Sequence, residues 1–491
     1  MENTGRIQRG LTATARRIIF GPAGDRSLAA ELEFISRVDR AHLVMMVERG
    51  IVDHGRAARV LKEIEQLRAC QFTPLREKAA PRGIYLLYEN YLMEKLGPET
   101  GGILQTARSR NDLNATTLRL RLRESYLLLL REALRLQAVL IGRARRHVKA
   151  VMPAYTHYQA AVPVTYAHYL AGVGVSSGRD IAALFEAGGD INRSPLGAGA
   201  VGGTSLPIDN ARTAALLGFA GPSLNSIDAV ASRDLVLRLL AATAIFGVTL
   251  SRLATDMLLW STAEFGFLSF PDELVGSSSM MPQKRNPFLL EHVQGRSATI
   301  LGAFVSSAAA MHSKPFTNSI AVGTEATAGV HEALRNITEA VILMRLMVAG
   351  AVPQTEAMLQ RAVKGYTSAT ELANRLMADG RLSFRVAHHT VGAMINEAIE
   401  RGEDSIDSAA ERCAAKYGGE ASVGGLDPAS VARSSEYGGG PGRASVDRCL
   451  AELKTRWAEQ VRAKLKQASM WREAETELNA AVQRLIESAR D

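Results

Sequence analysis

The chain has 491 residues, 47% of them hydrophobic but only 5% aromatic, and carries a formal charge of +8. This length predicts two to four domains, and a composition rich in Ala, Leu, Arg and Glu favours helices over a β sandwich. The charge gathers in no basic block with interleaved aromatics, which argues against nucleic acid, and three scattered cysteines, Cys70, Cys413 and Cys449, argue against a disulfide framework or zinc site. A reducing compartment fits such cysteine usage. The first twenty residues hold arginines but no apolar core of signal-peptide length, so a cytoplasmic location is expected.

In chain order, residues 27–70 alternate apolar and charged positions at helical spacing and predict a helical hairpin. Gly50 ends its first helix and Asp53 caps its second. Residues 71–111 hold prolines and glycines around one short helix, Ile84 to Lys95, and end in the polar run QTARSRND, a loop leading into a helix. Helical periodicity then runs from Asn114 to about Val151 without a proline, and comparable helices are predicted at Thr165 to Ala187, Ser226 to Glu264, Pro287 to Ser313 and Thr324 to Ala349. Five long helices in succession imply an elongated central bundle. The most apolar window, Val236 to Trp260, is interrupted by Arg238, Arg252 and Asp256, and so reads as a buried bundle helix, with no membrane partner expected.

The glycines of SPLGAGAVGGTSLPID, residues 194–209, lack both the GxxxxGK[ST] spacing and a preceding strand. They predict a tight connector with close backbone packing, not a phosphate cradle. After Pro353 come shorter helices, a Gly- and Ser-rich segment from Tyr417 to Ser445, and a charged amphipathic helix from Val446 onward. The expected division is an N-terminal helical domain over 1–111, a central bundle over 112–350 and a small C-terminal helical domain over 351–491.

Three polar constellations stand apart from this pattern: RSRND at 108–112, YTHYQ at 155–159, and GSSSMMPQKRNP at 276–287. Each is expected at an end of a long helix, where unpaired backbone donors favour anions. Taken singly they have ordinary readings: a capped turn, a structural histidine, a serine-rich loop. Taken together they supply short donors and a cation to one anion site. No GxSxG elbow accompanies Ser278, which disfavours a nucleophilic triad. Proton abstraction fits better. A carbon next to a carboxylate gives up its proton only if donors and cations hold the resulting dianion. A serine alkoxide acting as the base would itself need positive charge and backbone amides, which Lys284 and the glycine-bounded loop offer.

These stretches resemble, in order and spacing, the three signature regions of the aspartase/fumarase superfamily, and specifically its argininosuccinate lyase branch. SSxMPQKxNP is matched by Ser278, Ser279, Met281, Pro282, Gln283, Lys284, Asn286 and Pro287. The TARSRND, YTHxQ and SPLGAGAxGGTxxPID stretches match too, as do RAHxxMxxxxGI near the N-terminus and ATELANRL with FRVAHHTVG in the last domain. The resemblance implies an all-α, three-domain subunit whose five-helix bundle joins a twenty-helix core in a homotetramer, with active sites shared by three subunits. It implies anti β-elimination of fumarate from an N-substituted aspartate, without metal or organic cofactor. Ser278 would be the base, and His157 and Lys284 would join it in catalysis. Lys284 and Asn286 would bind the carboxylate whose charge grows. Ser109, Arg110, Asn111, Thr156 and His157, with Gln159, would hold the fumaroyl portion, beside Ser279 and Met281 of the loop.

The departures bear on the substrate. The branch's GSS is Ser277-Ser278-Ser279 here, with the glycine moved to Gly276; its EDxH aligns with Arg82, Gly83, Ile84 and Tyr85; and the histidine before TARSRND is Gln105. The usual TYNKDLQE, which helps bind the guanidino end, reads ThrAsnSerIleAlaValGlyThr at 317–324. Fumarate-side residues are kept and amine-side residues changed, which implies the same reaction on a different amine. Arg76, Arg82 and Lys314 are cationic candidates for extra carboxylates, so an aminopolycarboxylate is expected, in the manner of ethylenediamine-N,N′-disuccinate (EDDS) lyases. A divergent argininosuccinate lyase and a catalytically silent, crystallin-like member are the alternatives.

Overall fold

The computed structural model describes residues 11–20, 27–76, 78, 80, 83–379, 382–417 and 424–489. Arg82 lies outside the described residues. Helices α1 (Ser27–Glu48) and α2 (His54–Ala69) form the predicted hairpin. Asp53 caps α2 by accepting from Arg56 N at 2.9 Å. Leu32, Leu43, Leu61 and Ile64 turn one face of each helix into a core that α3 (Ile84–Leu96) completes.

The bundle consists of α4 (Arg110–Arg146), α5 (Tyr166–Gly188), α6 (Asp234–Trp260), α7 (Phe288–Met311) and α8 (Val330–Gly350). Their apolar faces share one core, with Leu129, Leu170, Phe246, Leu290 and Met344 buried in it. Among the described residues α6 alone is long and apolar enough to cross a membrane, and its Leu239, Phe246 and Met257 belong to this core. The protein is therefore mainly helical, as expected. Smaller helices α9 (Thr355–Lys364), α10 (Ala369–Ala378), α11 (Phe384–Glu400) and α12 (Ile406–Tyr417) follow. The last three enclose a separate small core around Leu372, Val391 and Ala409.

Several expectations are corrected. The YTHYQ stretch is not at a helix end. It is the tip of an antiparallel hairpin, β1 (Val151–Thr156) and β2 (Gln159–Thr165), whose turn residues His157 and Tyr158 adopt φ of 52° and 62°. The helix predicted over Ser226 to Glu264 breaks after Ala231. There Ser232 is extended and its hydroxyl bonds Asp234 Oδ1 at 2.5 Å, while Arg233 donates to the carbonyls of Val230 and Ser232, so a new helix starts.

The largest correction concerns α13 (Arg443–Ser488), expected within the C-terminal domain. It packs along α4 and α5 and then onto α1 and α2. Trp457 Nε1 donates to Leu134 O at 2.9 Å, Leu450 and Leu453 enter the bundle core, and Leu478, Val482 and Leu485 enter the N-terminal core. Arg123 is stacked between the rings of Phe219 and Trp471, 4.4 and 4.7 Å from their centroids. Residues 351–491 are thus split between a small helical unit and a strap across the other two.

Candidate active site

Ser109 starts α4 as its N-cap. Its Oγ accepts from Asn111 N at 3.2 Å and its own N–H donates to Asp112 Oδ1 at 3.0 Å, a reciprocal capping box. The other oxygen of Asp112 accepts from Gly197 N and Gly199 N, each at 3.0 Å. This buried carboxylate therefore staples the 194–209 connector to the start of α4. Burial pushes its carboxyl up, while the three backbone donors and Arg108 pull it down. The glycines are required here: φ is +97° at Gly197 and +60° at Gly199, and a Cβ would lie 2.3 Å from Asn210 Oδ1 or 2.7 Å from Gly203 O. The tight-connector expectation holds.

Arg108 and Arg110 play opposite parts. Arg108 is fully buried, bonded to Asp39 Oδ1 at 2.6 Å and to the Tyr85 hydroxyl at 3.2 Å. Asp39 holds its guanidinium protonated above the ordinary range against the cost of burial. Arg110 is exposed. Asn111 donates through Nδ2 to Ala200 O at 3.3 Å and accepts at Oδ1 from Asn318 Nδ2 at 3.1 Å.

At the hairpin tip Thr156, His157, Tyr158 and Gln159 are all exposed. The turn is held from behind, where the Tyr155 ring packs on Phe265 with centroids 5.5 Å apart and β1 rests on α9.

The loop 276–286 is closed at its base by two hydrogen bonds of 2.8 Å between Gly276 and Asn286. Its glycine has a steric reason: a Cβ at 276 would meet the Phe288 ring at 2.9 Å. Within the loop Ser278 Oγ accepts from Met281 N at 3.0 Å and from Met280 N at 3.3 Å. A hydrogen bond to a charged group contributes about 1.5–3 kcal/mol, so the two amides offset part of the cost of an alkoxide. That is a share of what a serine base requires, and a nearby cation must supply more. Lys284 is exposed and, among the described residues, forms no ion pair within the subunit, whereas Arg285 is anchored to Asp272 Oδ1 at 2.5 Å. Asn286 Nδ2 lies 3.4 Å from Ser277 O. Ser279 and Met281 are exposed on the loop rim.

Within one subunit the three stretches stay apart. Among the described residues no hydrogen bond or ion pair joins 109–111, 156–159 and 278–286 to one another. A cavity of about 750 Å³ beside the hairpin holds Tyr158, Tyr169, Arg252 and Asp256, and one of about 650 Å³ runs along the connector; neither holds Ser278, Lys284, His157 or Asn111.

A family model described as a lyase matches residues 48–302, and one described as the argininosuccinate lyase C-terminal region matches 366–417. The argininosuccinate lyase of Thermus thermophilus is 38% identical over 84% of this chain and 89% of its own length. Argininosuccinate lyase 1 of Shouchella clausii is 32% identical over 81% and 80%. The crystal structure of EDDS lyase with formate superposes with a TM-score of 0.86 at 28% identity, covering 98% of this chain and 97% of that one. The chain belongs to the argininosuccinate lyase branch of the aspartase/fumarase superfamily. It is a carbon–nitrogen lyase that releases fumarate. The fold itself reaches further: class II fumarase from Schistosoma mansoni shares it at a TM-score of 0.67 and 15% identity over 81% of this chain and 92% of that one.

The branch's departures can now be located. Tyr85 and Gln105, which align with the two histidines usual in this branch, are hydrogen bonded to each other at 3.0 Å. Asn318 of the altered 317–324 segment touches Asn111, so that segment borders the RSRND stretch at the start of α4. Arg76 is exposed, and its guanidinium donates to Gln71 O at 3.0 Å and to Gln71 Oε1 at 3.3 Å. Lys314 is exposed. Sequence reasoning missed Asn318 because a lone asparagine in a divergent segment has no spacing signal. It also missed the Met280 and Met281 amides as individual donors, because backbone groups leave no mark in residue type.

Proposed function

We propose that this lyase acts on an N-substituted L-aspartate whose amine is not arginine, with an aminopolycarboxylate such as EDDS as the substrate class. Ser278, as the alkoxide, takes the Cβ proton of the succinyl group. Lys284 and Asn286 hold the carboxylate that becomes doubly charged, the Cα–N bond then breaks with its electron pair passing to the nitrogen, which is protonated in the substrate, and the neutral amine leaves as fumarate forms. Ser109, Arg110, Asn111, Thr156 and His157, with Gln159, grip the fumaroyl end. Ser279 and Met281 line the loop. The observation that carries this chemistry is the pair of backbone amides converging on Ser278 Oγ.

We place the working enzyme in the cytoplasm as a homotetramer, each site drawing Ser278, Asn111 and His157 from three different subunits. Two features support the assembly. The three stretches are separate within one subunit and each presents at least one exposed polar side chain, Arg110, His157 and Lys284, and the bundle displays an apolar row of Ile245 and Val248 on α6 with Leu301 and Val305 on α7, which are 48–60% exposed.

For the amine, no residue from 313 to 324 is acidic, Lys314 is exposed, and the EDDS lyase fold matches over nearly the whole chain. Such a wall suits a carboxylate-bearing amine better than a guanidinium. The second reading, an argininosuccinate lyase, has in its favour the 38% identity to the Thermus enzyme. Fumarate formation followed by ultraviolet absorbance, with EDDS and argininosuccinate in parallel, separates them. Turnover of EDDS with little of argininosuccinate is expected, and efficient cleavage of argininosuccinate would overturn the amine assignment.

A further inference from the structure

The contact between Asn318 and Asn111 fixes more than proximity. The side chain of an asparagine presents a donor on one side and an acceptor on the other, and only its neighbours determine which way round it sits. Ala200 O is a carbonyl and can only accept, so the atom 3.3 Å from it must be Nδ2 of Asn111. Oδ1 of Asn111 then faces Asn318, which must answer with its own Nδ2, as it does at 3.1 Å. The chain of donors has one consistent direction, running from Asn318 through Asn111 to the connector. It leaves one Nδ2 hydrogen of Asn111 without a partner among the described residues, ready for a carboxylate oxygen.

The surroundings fit Asn318 to this place. Its Oδ1 lies 3.2 Å from where a Cβ on Gly323 would stand, so a side chain at 323 would press directly on the amide. Ser319 is turned away, accepting from Val322 N at 3.4 Å as the cap of the short helix Ile320–Gly323. Ala200, at the other end, belongs to the connector that Asp112 holds through Gly197 and Gly199. The Ala200 end of the relay is therefore anchored to the first turn of α4.

We infer that Asn318 is a positioning residue: it sets the orientation of the Asn111 amide and so couples the 314–324 segment on the amine side to the grip on fumarate. The inference rests on the proposed role of Asn111 as a fumarate-binding residue. In place of reading the amine, the one amide in this segment serves the fumarate end.

The test uses the full-length enzyme and fumarate itself as the probe, through its product-inhibition constant, alongside kcat and KM. Asn318→Ala removes the donor and is expected to weaken fumarate about two- to tenfold, a single neutral hydrogen bond's share. Asn318→Asp has the same shape but sets an acceptor against Oδ1 of Asn111, and a loss of about tenfold or more is expected. Gly323→Ala, which crowds Asn318 without changing its chemistry, should move the constant in the same direction. In the Asn111→Ala background Asn318→Ala should add nothing, since its effect acts through Asn111. A fully additive loss there, or an Asn318→Asp enzyme with unchanged fumarate inhibition, overturns the inference while leaving Asn111 as a binding residue. An Asn111→Ala enzyme with unchanged inhibition overturns the underlying site assignment and this inference with it.

Discussion

The hydroxyl of Tyr85 donates to Gln105 Oε1 at 3.0 Å, joining two positions at which this chain departs from its branch. The same hydroxyl accepts from Arg108 Nη2 at 3.2 Å, so the pair is tied to the buried Arg108–Asp39 ion pair beneath the TARSRND turn. Two separate substitutions in the sequence are thus one local replacement in space. Tyr85→Phe strands one buried Arg108 donor and the half-buried Gln105 amide, removes the same hydroxyl's 3.3 Å contact with Glu89 Oε1, and should cost about 1–3 kcal/mol. Tyr85→Phe with Gln105→Leu should recover part of that loss, because both ends of one bond are then apolar. Denaturant midpoints of the two single variants and the double variant measure the coupling. Additive losses would mean the two residues act independently.

Ser278→Ala should leave the fold and assembly unchanged, because among the described residues the Ser278 side chain is held only by amides of its own loop. Turnover should fall by about a thousandfold or more if the alkoxide is the base. Circular dichroism and sedimentation check the first expectation, and fumarate absorbance checks the second. A variant with near-normal kcat removes Ser278 from the role.

Asp112 satisfies three backbone donors with two oxygens, so Asp112→Asn must turn an amide group toward at least one of them. A loss of about 1–3 kcal/mol is expected from the unsatisfied donors. Fumarate affinity should fall in parallel, since the connector carrying Ala200 is released. Stability loss without any change in fumarate inhibition would show the staple to be structural alone.

His42 is buried and its Nε2 bonds the carbonyl of Thr106, the first residue of the TARSRND run, at 2.9 Å. Burial, with Arg108 nearby, pushes its imidazole down to about 3 from an ordinary value near 6.5. Between those values the unfolded chain takes a proton that the folded chain refuses, so folding stability falls as pH drops. The slope from this group approaches about 1.4 kcal/mol per pH unit well below pH 6.5, or about 2 kcal/mol lost by pH 5. His42→Gln keeps a donor for Thr106 O and removes the titration. Denaturant midpoints from pH 7.5 to 5 should therefore fall more steeply for the native chain than for the variant. Parallel curves would mean the imidazole is not held neutral.

Much of the fold is legible because burial writes a period into helices. The apolar spacing of α4 to α8 and the Asp53 cap are local signals with local causes. The hairpin at 151–165 was missed because its turn is His157-Tyr158, and neither residue advertises the left-handed conformation that Asn-Gly would. The docking of α13 was missed because amphipathicity shows that a face is buried but not against what. Residue types in the three signature stretches point to the chemistry. The amides on Ser278 and the Asn318–Asn111 contact depend on backbone placement and long-range approach, which no residue spacing encodes.

If each site takes its base from one subunit and its Asn111 from another, inactive variants should complement one another. Ser278→Ala and Asn111→Ala subunits, unfolded together and refolded at equal ratio, assemble at random. A site is intact when its 278 loop comes from the Asn111→Ala chain and its 111 residue from the Ser278→Ala chain. The chance is one half times one half, so about a quarter of native activity should return from two inactive parents. The readout is fumarate production by the mixture against each parent refolded alone. Were Ser278 and Asn111 to serve the same site from one chain, every mixed site would lack one of them and no activity would return. Recovery near a quarter would thus establish both the assembly and the division of the site among its subunits.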